Sequence, residues 1–559
     1  MDKTIFDKLG HVKLVLILLG FSYFLLMFGN NIVSLTHPDE VFYIQSAKEM
    51  VQYHKWFTPM IFDEIQFEKP FLAFALFAAA IKWFGLTPFV ARFWPSLFGI
   101  IGVGITYWIA WAMFERKRLA FLAALIISSS FIYLALSRAV LTDMIFSVIV
   151  AISIGFICMA FKSEKHRNVS IILAFVFSAL AVLTKGLLGF LFPGAAALIY
   201  MVYRKDFLLF RQKATLLGFL LFLLISLPWH IVMYNMHGQF FIDEYFGNVH
   251  VRRILGAEHK RLDNWYFYFG LMFAGVLPWS LFWFPTIKKV FDQIKKKTKE
   301  SDWLVFLIGW IVSVLIFTQP AASKLASYIF PLFPAVAILL AFYLDSALDK
   351  EKSENKSIGL RICGYAMVAV LIGIIIGGNI AGRMYIDVIG SMRPILIASV
   401  IVAIVAFLIA IFNIRRQYLL MLFSYIGISA TLLVMLFFAK PYIEPWVSCK
   451  DVSMALNKLD KTNSRILSSK FYVRGVRFYT DRKMAVIDIA GKGFWSPHPI
   501  PFLNTDQMVI DYLNEEEVNY AVVKEGNVED LYRILKGKEY KIENLFGIGG
   551  KHILRITKL

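Results

Sequence analysis

Long apolar runs recur from residue 14 to residue 439, and this pattern limits what the chain can become more than any other feature. A helix needs about 20 apolar residues to cross a hydrocarbon core about 30 Å thick. Inside lipid every backbone N–H and C=O must find its partner within the protein, which a helix achieves by itself. Runs at 14–34, 88–113, 119–136, 143–161, 168–183, 186–203, 214–234, 265–287, 303–319, 328–345, 358–379, 394–413 and 418–439 predict a polytopic α-helical membrane protein with roughly thirteen transmembrane helices. Those at 119–136 and 168–183 are short for the task. Composition agrees. Hydrophobic residues make up 58% and charged residues 17%, where soluble domains carry about 25% charged. A soluble multidomain enzyme, a disordered chain and a fibrous one are excluded.

The net charge of +19 is spread over connectors rather than gathered in one patch. Arg116–Arg118, Lys162 with Lys165 and Arg167, Arg204 with Lys205, Arg211 and Lys213, Lys288 with Lys289, Lys295–Lys297, Lys350 to Arg361, and Arg415 with Arg416 all separate apolar runs. With the N-terminus in the cytoplasm, every one of these connectors is cytoplasmic, the bias that orients membrane proteins. Anionic lipid headgroups are the implied partner, and nucleic acid is not. The first apolar run reads as a retained span, because it is long and has no small-residue cleavage site. Cys158, Cys363 and Cys449 lie far apart with no CxxC, so neither a disulfide framework nor a cysteine zinc site is expected.

An odd number of spans sends residues 440–559 to the side of the membrane outside the cytoplasm. This tail is charged, rich in turn signals and without a span-length run. Strands at 484–489, 520–524 and 552–557 and helices at 505–514 and 528–535 predict a small α/β domain. The transmembrane domain is thus 1–439 and the periplasmic domain 440–559. The first external loop, 35–87, holds two helical stretches, Glu40–Tyr53 and Phe71–Phe84, suited to lying in the interface plane.

Some charges are not explained by topology: Asp39, Glu40, Glu68, Lys69, Arg92, Arg138, Asp143, Lys185, His250, Arg252, Arg253 and Lys324. With Tyr328, all fall at or near the external face. Ionisable groups at membrane depth cost a few kcal/mol and turn toward a cavity and a partner. Together they predict one cavity lined by acids and cations at headgroup level. Lysine and arginine there suit a lipid phosphate or pyrophosphate, and the carboxylates suit removing a proton from an acceptor or orienting it. Plainer readings stand beside this one. Asp39 and Glu40 fit a helix first turn, Glu68 and Lys69 a solvated pair, Asp143 a partner for Arg138, Lys185 a snorkelling lysine, and Trp229 and Trp279 an aromatic belt. Glu68 and His250 alone are a weak metal signal.

Residues 37–43 (HPDEVFY), 67–70 (FEKP), 90–96 (VARFWPS), 137–144 (SRAVLTDM), 183–186 (LTKG) with Pro193, 227–229 (LPW), 248–253 (NVHVRR) and 324–331 (KLASYIFP) follow one another in order. In this set the chain, over roughly residues 10–345, resembles the bacterial lipid A aminoarabinose transferases, relatives of the protein O-mannosyltransferases with the GT-C glycosyltransferase fold. The resemblance implies an inverting glycosyltransferase that takes a sugar from polyprenyl (undecaprenyl) phosphate and delivers it to lipid A, another glycan or a protein. It implies Asp39 as the acidic residue of the first loop, with Asp143 in the second acidic motif. Lys69, Arg252 or Arg253, Lys324 and Tyr328 meet the donor phosphate, and Glu40, Arg92, Arg138 and Lys185 line the same cavity. Glu68 and His250 match positions associated with a divalent metal (zinc, magnesium or manganese). A protein O-glycosyltransferase of the same fold, a ligase using a pyrophosphate donor and a flippase for a lipid-linked sugar are the competing readings.

Overall fold

The computed structural model describes residues 6, 8–252, 256, 264–349, 358–493 and 499–559. Every apolar run contains a helix. Among the described residues nine helices are long and apolar enough to cross a membrane unbroken: Pro88–Phe114, Thr142–Lys162, Arg167–Lys185, Lys213–His237, Ser301–Thr318, Ala326–Leu348, Ile358–Met384, Arg393–Ile414 and Tyr418–Val447. Counting two bent pairs as spans makes eleven. Two further expected spans, His11–Leu26 and Leu188–Arg204, are helices shorter than 18 residues, so by length and composition the expected thirteen becomes nine to eleven.

The departures have local causes. Lys117–Ser129 and Phe131–Ser137 meet at 62°. The hydroxyls of Ser128 and Ser129 donate to the Leu125 carbonyl and that of Ser130 to Ile126, a back-bonding that competes with the helical ladder and bends it. Phe267–Gly275 and Ser280–Lys295 meet at 115°, with Pro278 in the break, where it has no N–H to give. The first helix stops at Leu26, short of residue 34. Gly29 turns the chain with φ of 77°, and the Arg138 guanidinium donates to the Leu25 and Phe28 carbonyls at 3.0 and 2.9 Å. These oxygens at the helix end would otherwise lack donors. Trp229 and Trp279 form no belt. Both are buried, their indole N–H groups donating to the Phe57 carbonyl at 2.8 Å and the Ser129 hydroxyl at 3.0 Å.

Between the first two membrane helices the chain forms helix Asp39–Gln52, a hairpin of Met60–Ile61 with Glu64–Ile65, and helix Phe71–Phe84. Glu49 fixes the hairpin by accepting the Phe62 and Asp63 N–H groups at 2.8 and 3.0 Å.

After Val447 the chain builds a six-stranded sheet. Its order is Phe502–Leu503, Met484–Ile487, Ile466–Ser469, Val518–Val523, Lys551–Lys558 and Tyr540–Ile548, the first four parallel and the last two joined antiparallel. Strand side chains alternate between faces, and the two faces have different neighbours. Leu467, Ala485, Ile487, Ala521 and Val523 pack with helices Asp506–Leu513 and Glu525–Leu535. Ile466, Met484, Val486 and Val522 belong to the apolar cluster that continues into the membrane helices. The domain therefore sits on the Asp39 segment. Gly475 approaches so closely that a Cβ would lie 2.8 Å from Cys449 Sγ and 3.1 Å from His37 Cβ. Lys551, wholly buried, donates to the Pro445 carbonyl at 2.6 Å and the Trp446 carbonyl at 3.3 Å, capping the last membrane helix.

Candidate functional site

Helix Asp39–Gln52 carries the centre of the site. Asp39 and Tyr43 are one turn apart and share a face, whereas Glu40 points about 100° away. Burial pushes the Tyr43 hydroxyl far above its ordinary value, and the carboxylates of Asp143, Asp39 and Glu68 push it further. Three acids from three separate segments thus act on one hydroxyl. They come from this helix, from the stretch before helix Phe71–Phe84 and from the first turn of Thr142–Lys162.

Asp143 is ion-paired with Lys185, the last residue of its helix, and both side chains are buried. The same ammonium stands 5.3 Å from the centroid of the Tyr328 ring and 5.5 Å from that of Phe146, within cation–π reach. Tyr328 lies in the short 3-10 helix Ala326–Leu332. Four residues earlier, buried Lys324 donates to the Ala321 carbonyl at 3.1 Å. Lys69 is buried directly after Glu68. Asp39, Glu68, Asp143, Lys185 and Tyr328 are therefore one neighbourhood of acids, an ammonium and phenols, with Asp39 at its exposed edge and the Asp143–Lys185 pair buried.

Several assignments change. Asp143 pairs with Lys185 and not with Arg138, so Lys185 does not snorkel. Arg138 caps the first helix instead. Glu40 and Arg92 form a closed pair. Arg92 Nε and Nη2 donate to the two Glu40 oxygens at 2.8 and 2.6 Å, and its remaining N–H groups reach the carbonyls of Asn30, Val33 and Ser34. Burial alone would raise the Glu40 carboxyl. The Arg92 charge, with the N–H groups of Thr36 and Val140, overcomes that and holds it below the usual range. Glu40, Arg92 and Arg138 line a second cavity, whose lining includes none of Asp39, Tyr43, Glu68 or Asp143. Of the residues expected to share one cavity, Glu40, Arg92 and Arg138 line this one.

Glu244 and Arg252 come from Ile242–Val251 and its end. Burial raises the Glu244 carboxyl and the charges of Glu68 and Asp243 add to the rise, against a 2.6 Å hydrogen bond from Asn248. Arg252 is exposed and donates to Asn248 Oδ1 at 3.3 Å. Arg253 and the His250 side chain lie outside the described residues. Glu68 and Glu244 are two carboxylates, and among the described residues no group of three or more His, Cys, Asp and Glu gathers that would hold a metal. Tyr43 and Glu244 were missed from the sequence. The four-residue step from Asp39 was the available signal for Tyr43; Glu244 offered none.

The family model for dolichyl-phosphate-mannose-protein mannosyltransferases matches residues 12–242. An uncharacterised protein of Aquifex aeolicus is 28% identical over 83% of this chain and 88% of its own length. An undecaprenyl phosphate-alpha-4-amino-4-deoxy-L-arabinose arabinosyl transferase of Proteus mirabilis is 27% identical over 66% of each chain, and for a second one from that bacterium the match spans 59% of each. The chain thus spans about three fifths to two thirds of these transferases. The crystal structure of ArnT from Cupriavidus metallidurans bound to undecaprenyl phosphate superposes with a TM-score of 0.77 at 18% identity, covering 98% of both chains. The chain has a GT-C-like fold. The shared fold extends over nearly the whole length of both chains. At 14% identity, the archaeal oligosaccharyltransferase AglB from Archaeoglobus fulgidus superposes with a TM-score of 0.51, covering 98% of this chain and 75% of that one.

Proposed function

We propose that this protein moves a sugar from a polyprenyl phosphate, undecaprenyl phosphate in a bacterium, to an acceptor on the far side of the inner membrane. The acceptor favoured by the relatives is lipid A, with an aminoarabinose-like sugar. The N-terminus is cytoplasmic and the C-terminal domain periplasmic, as the arginine and lysine connectors argue. The observation that carries the reading is the gathering of Asp39, Glu68 and Asp143 on Tyr43, with Lys185 bridging Asp143 to Tyr328.

In this reading the donor phosphate lies against Lys69, Lys324 and Tyr328, with Arg253 or Arg252 completing its hold. The acceptor oxygen attacks the anomeric carbon from the opposite face. Its bond to carbon forms as the bond from carbon to the phosphate oxygen breaks, and the polyprenyl phosphate leaves with the electron pair. Cations fixed in a dry site stabilise that growing charge without reorganising. A hydroxyl acceptor gives its proton to Asp39. A phosphate acceptor is already anionic, and Asp39 then orients it. Asp143 holds Lys185 beside Tyr328 and so positions a cation.

Asp39→Asn, purified and supplied with a polyprenyl-phosphate sugar and lipid A, should lose about 10²–10³ in turnover, the typical cost of one stabilising group, while donor binding and elution as a monodisperse protein persist. Near-normal turnover would remove Asp39 from the step. Movement of the donor across vesicles without any acceptor would replace the transferase reading by a transporter.

A further inference from the structure

The cavity on the other side of Glu40 is lined by none of the residues given a role in the proposed transfer. It encloses about 540 Å³, within the range of small-ligand pockets. One wall is a face of the last membrane helix. Leu432, Leu433, Leu436, Ala439 and Ile443 recur at helical spacing and offer only hydrocarbon. The opposite end carries Thr36, Arg92, Glu40 and Arg138.

The two arginines are in different states. A guanidinium has five N–H donors. Arg92 spends all of them, two on Glu40 and the rest on three carbonyls, so the Arg92–Glu40 pair is closed and neutral. Arg138 makes two hydrogen bonds, to the carbonyls of Leu25 and Phe28. Its ion-pair partner is not found among the carboxylates of the described residues, and its side chain is half-buried in the cavity wall. A cation flanking membrane helices needs a counter-charge. The free edge of a guanidinium fork matches two oxygens of a phosphate.

We infer that this cavity is a second lipid site, taking one anionic phospholipid whose phosphate pairs with Arg138 and whose acyl chain runs along the Leu432–Ile443 face. Basic pockets between membrane helices hold anionic headgroups in this way. The site lies one residue from Asp39, because Thr36 and Glu40 form its floor. A bound phospholipid therefore braces the turn that leads into the Asp39 helix. Glycerophosphate headgroups fit the single unpaired charge, whereas a zwitterionic choline headgroup brings its own cation and no hydrogen-bond donor.

Native mass spectrometry of the full chain in detergent, titrated with phosphatidylglycerol, tests this. One retained phosphatidylglycerol is expected, with phosphatidylcholine held at least tenfold more weakly. Arg138→Gln should lower phosphatidylglycerol retention at least tenfold. Leu436→Trp, which fills the cavity and leaves the charge in place, should do the same while undecaprenyl phosphate still binds. Equal retention of the two phospholipids, or wild-type retention in both variants, would overturn the inference. So would loss of undecaprenyl phosphate from Leu436→Trp, since the cavity would then belong to the donor's path. Because the readout is phospholipid binding, the result is independent of whether the protein transfers a sugar.

Discussion

Asp39 and Glu40 are chemically near-identical neighbours, yet they should fail in different ways when changed. Glu40→Ala leaves Arg92 buried, with three backbone carbonyls for company and no counter-charge. It also strips acceptors from the Thr36 and Val140 N–H groups, bonded now at 2.9 and 3.0 Å. Breaking one side of a buried ion pair costs about 3–5 kcal/mol, and each buried N–H left without a partner adds about 1–3 kcal/mol. Even the lower figure of about 3 kcal/mol lowers the folded-to-unfolded ratio more than a hundredfold. Glu40→Ala should therefore lose its monodisperse elution peak in detergent at a markedly lower temperature than wild type. Asp39→Asn should melt as wild type does and lose turnover. The double variant Glu40→Ala/Arg92→Leu removes both charges and should recover much of the stability lost by Glu40→Ala. The reasoning is refuted if Glu40→Ala melts as wild type does, or if the double variant is no more stable than the single one. In either case the pair would not be what anchors this helix.

Two other outcomes follow from the same geometry. Lys185→Met strands the Asp143 carboxylate and should destabilise by about 3–5 kcal/mol, whereas Lys185→Met/Asp143→Leu should regain stability without regaining turnover; thermal melting and transfer assays on the two together separate the pair's structural part from its part in the site. His37 packs against Phe471 and Tyr472 of the C-terminal domain, and burial, then the charge of Lys551, pushes its imidazole down to about 4 from 6.5. The unfolded chain takes up that proton first, so the contribution is whole above pH 6.5 and is lost as pH falls toward 4, about 3 kcal/mol in all. Melting temperature should fall through that window more steeply in wild type than in His37→Asn, and equal slopes would count against the docking role of His37.

How much of this was legible in the chain is visible residue by residue. Glu68 and Lys69 stand out because a charged pair interrupts an apolar stretch, and Tyr328 because it follows a lysine at a span start. These are local contrasts, and they mark where the site is. Which acid meets which cation was not legible. Glu40 meets Arg92 and Asp143 meets Lys185 across tens of residues of sequence, and Arg138, closer in sequence to Asp143, caps a helix instead. In the C-terminal domain, the apolar runs of Met484–Ile487 and Val518–Val523 were readable, whereas the short central strand Ile466–Ser469 was not, and the edge strands Phe502–Leu503 and Tyr540–Ile548 carry too little burial to show a pattern.

By itself the sequence determined the class of molecule, because apolar runs long enough to cross a bilayer, separated by basic connectors, admit a helical membrane protein and little else. It also determined where the helices weaken, through serine triplets, glycine and proline. The partition of the charged residues was decided only in three dimensions. Successive residues on a helix point about 100° apart, so Asp39 joins Tyr43 while Glu40 turns into a closed pair with Arg92. That rotation is the reason the charges expected in one cavity divide between a polar site and a cavity walled mainly by hydrocarbon.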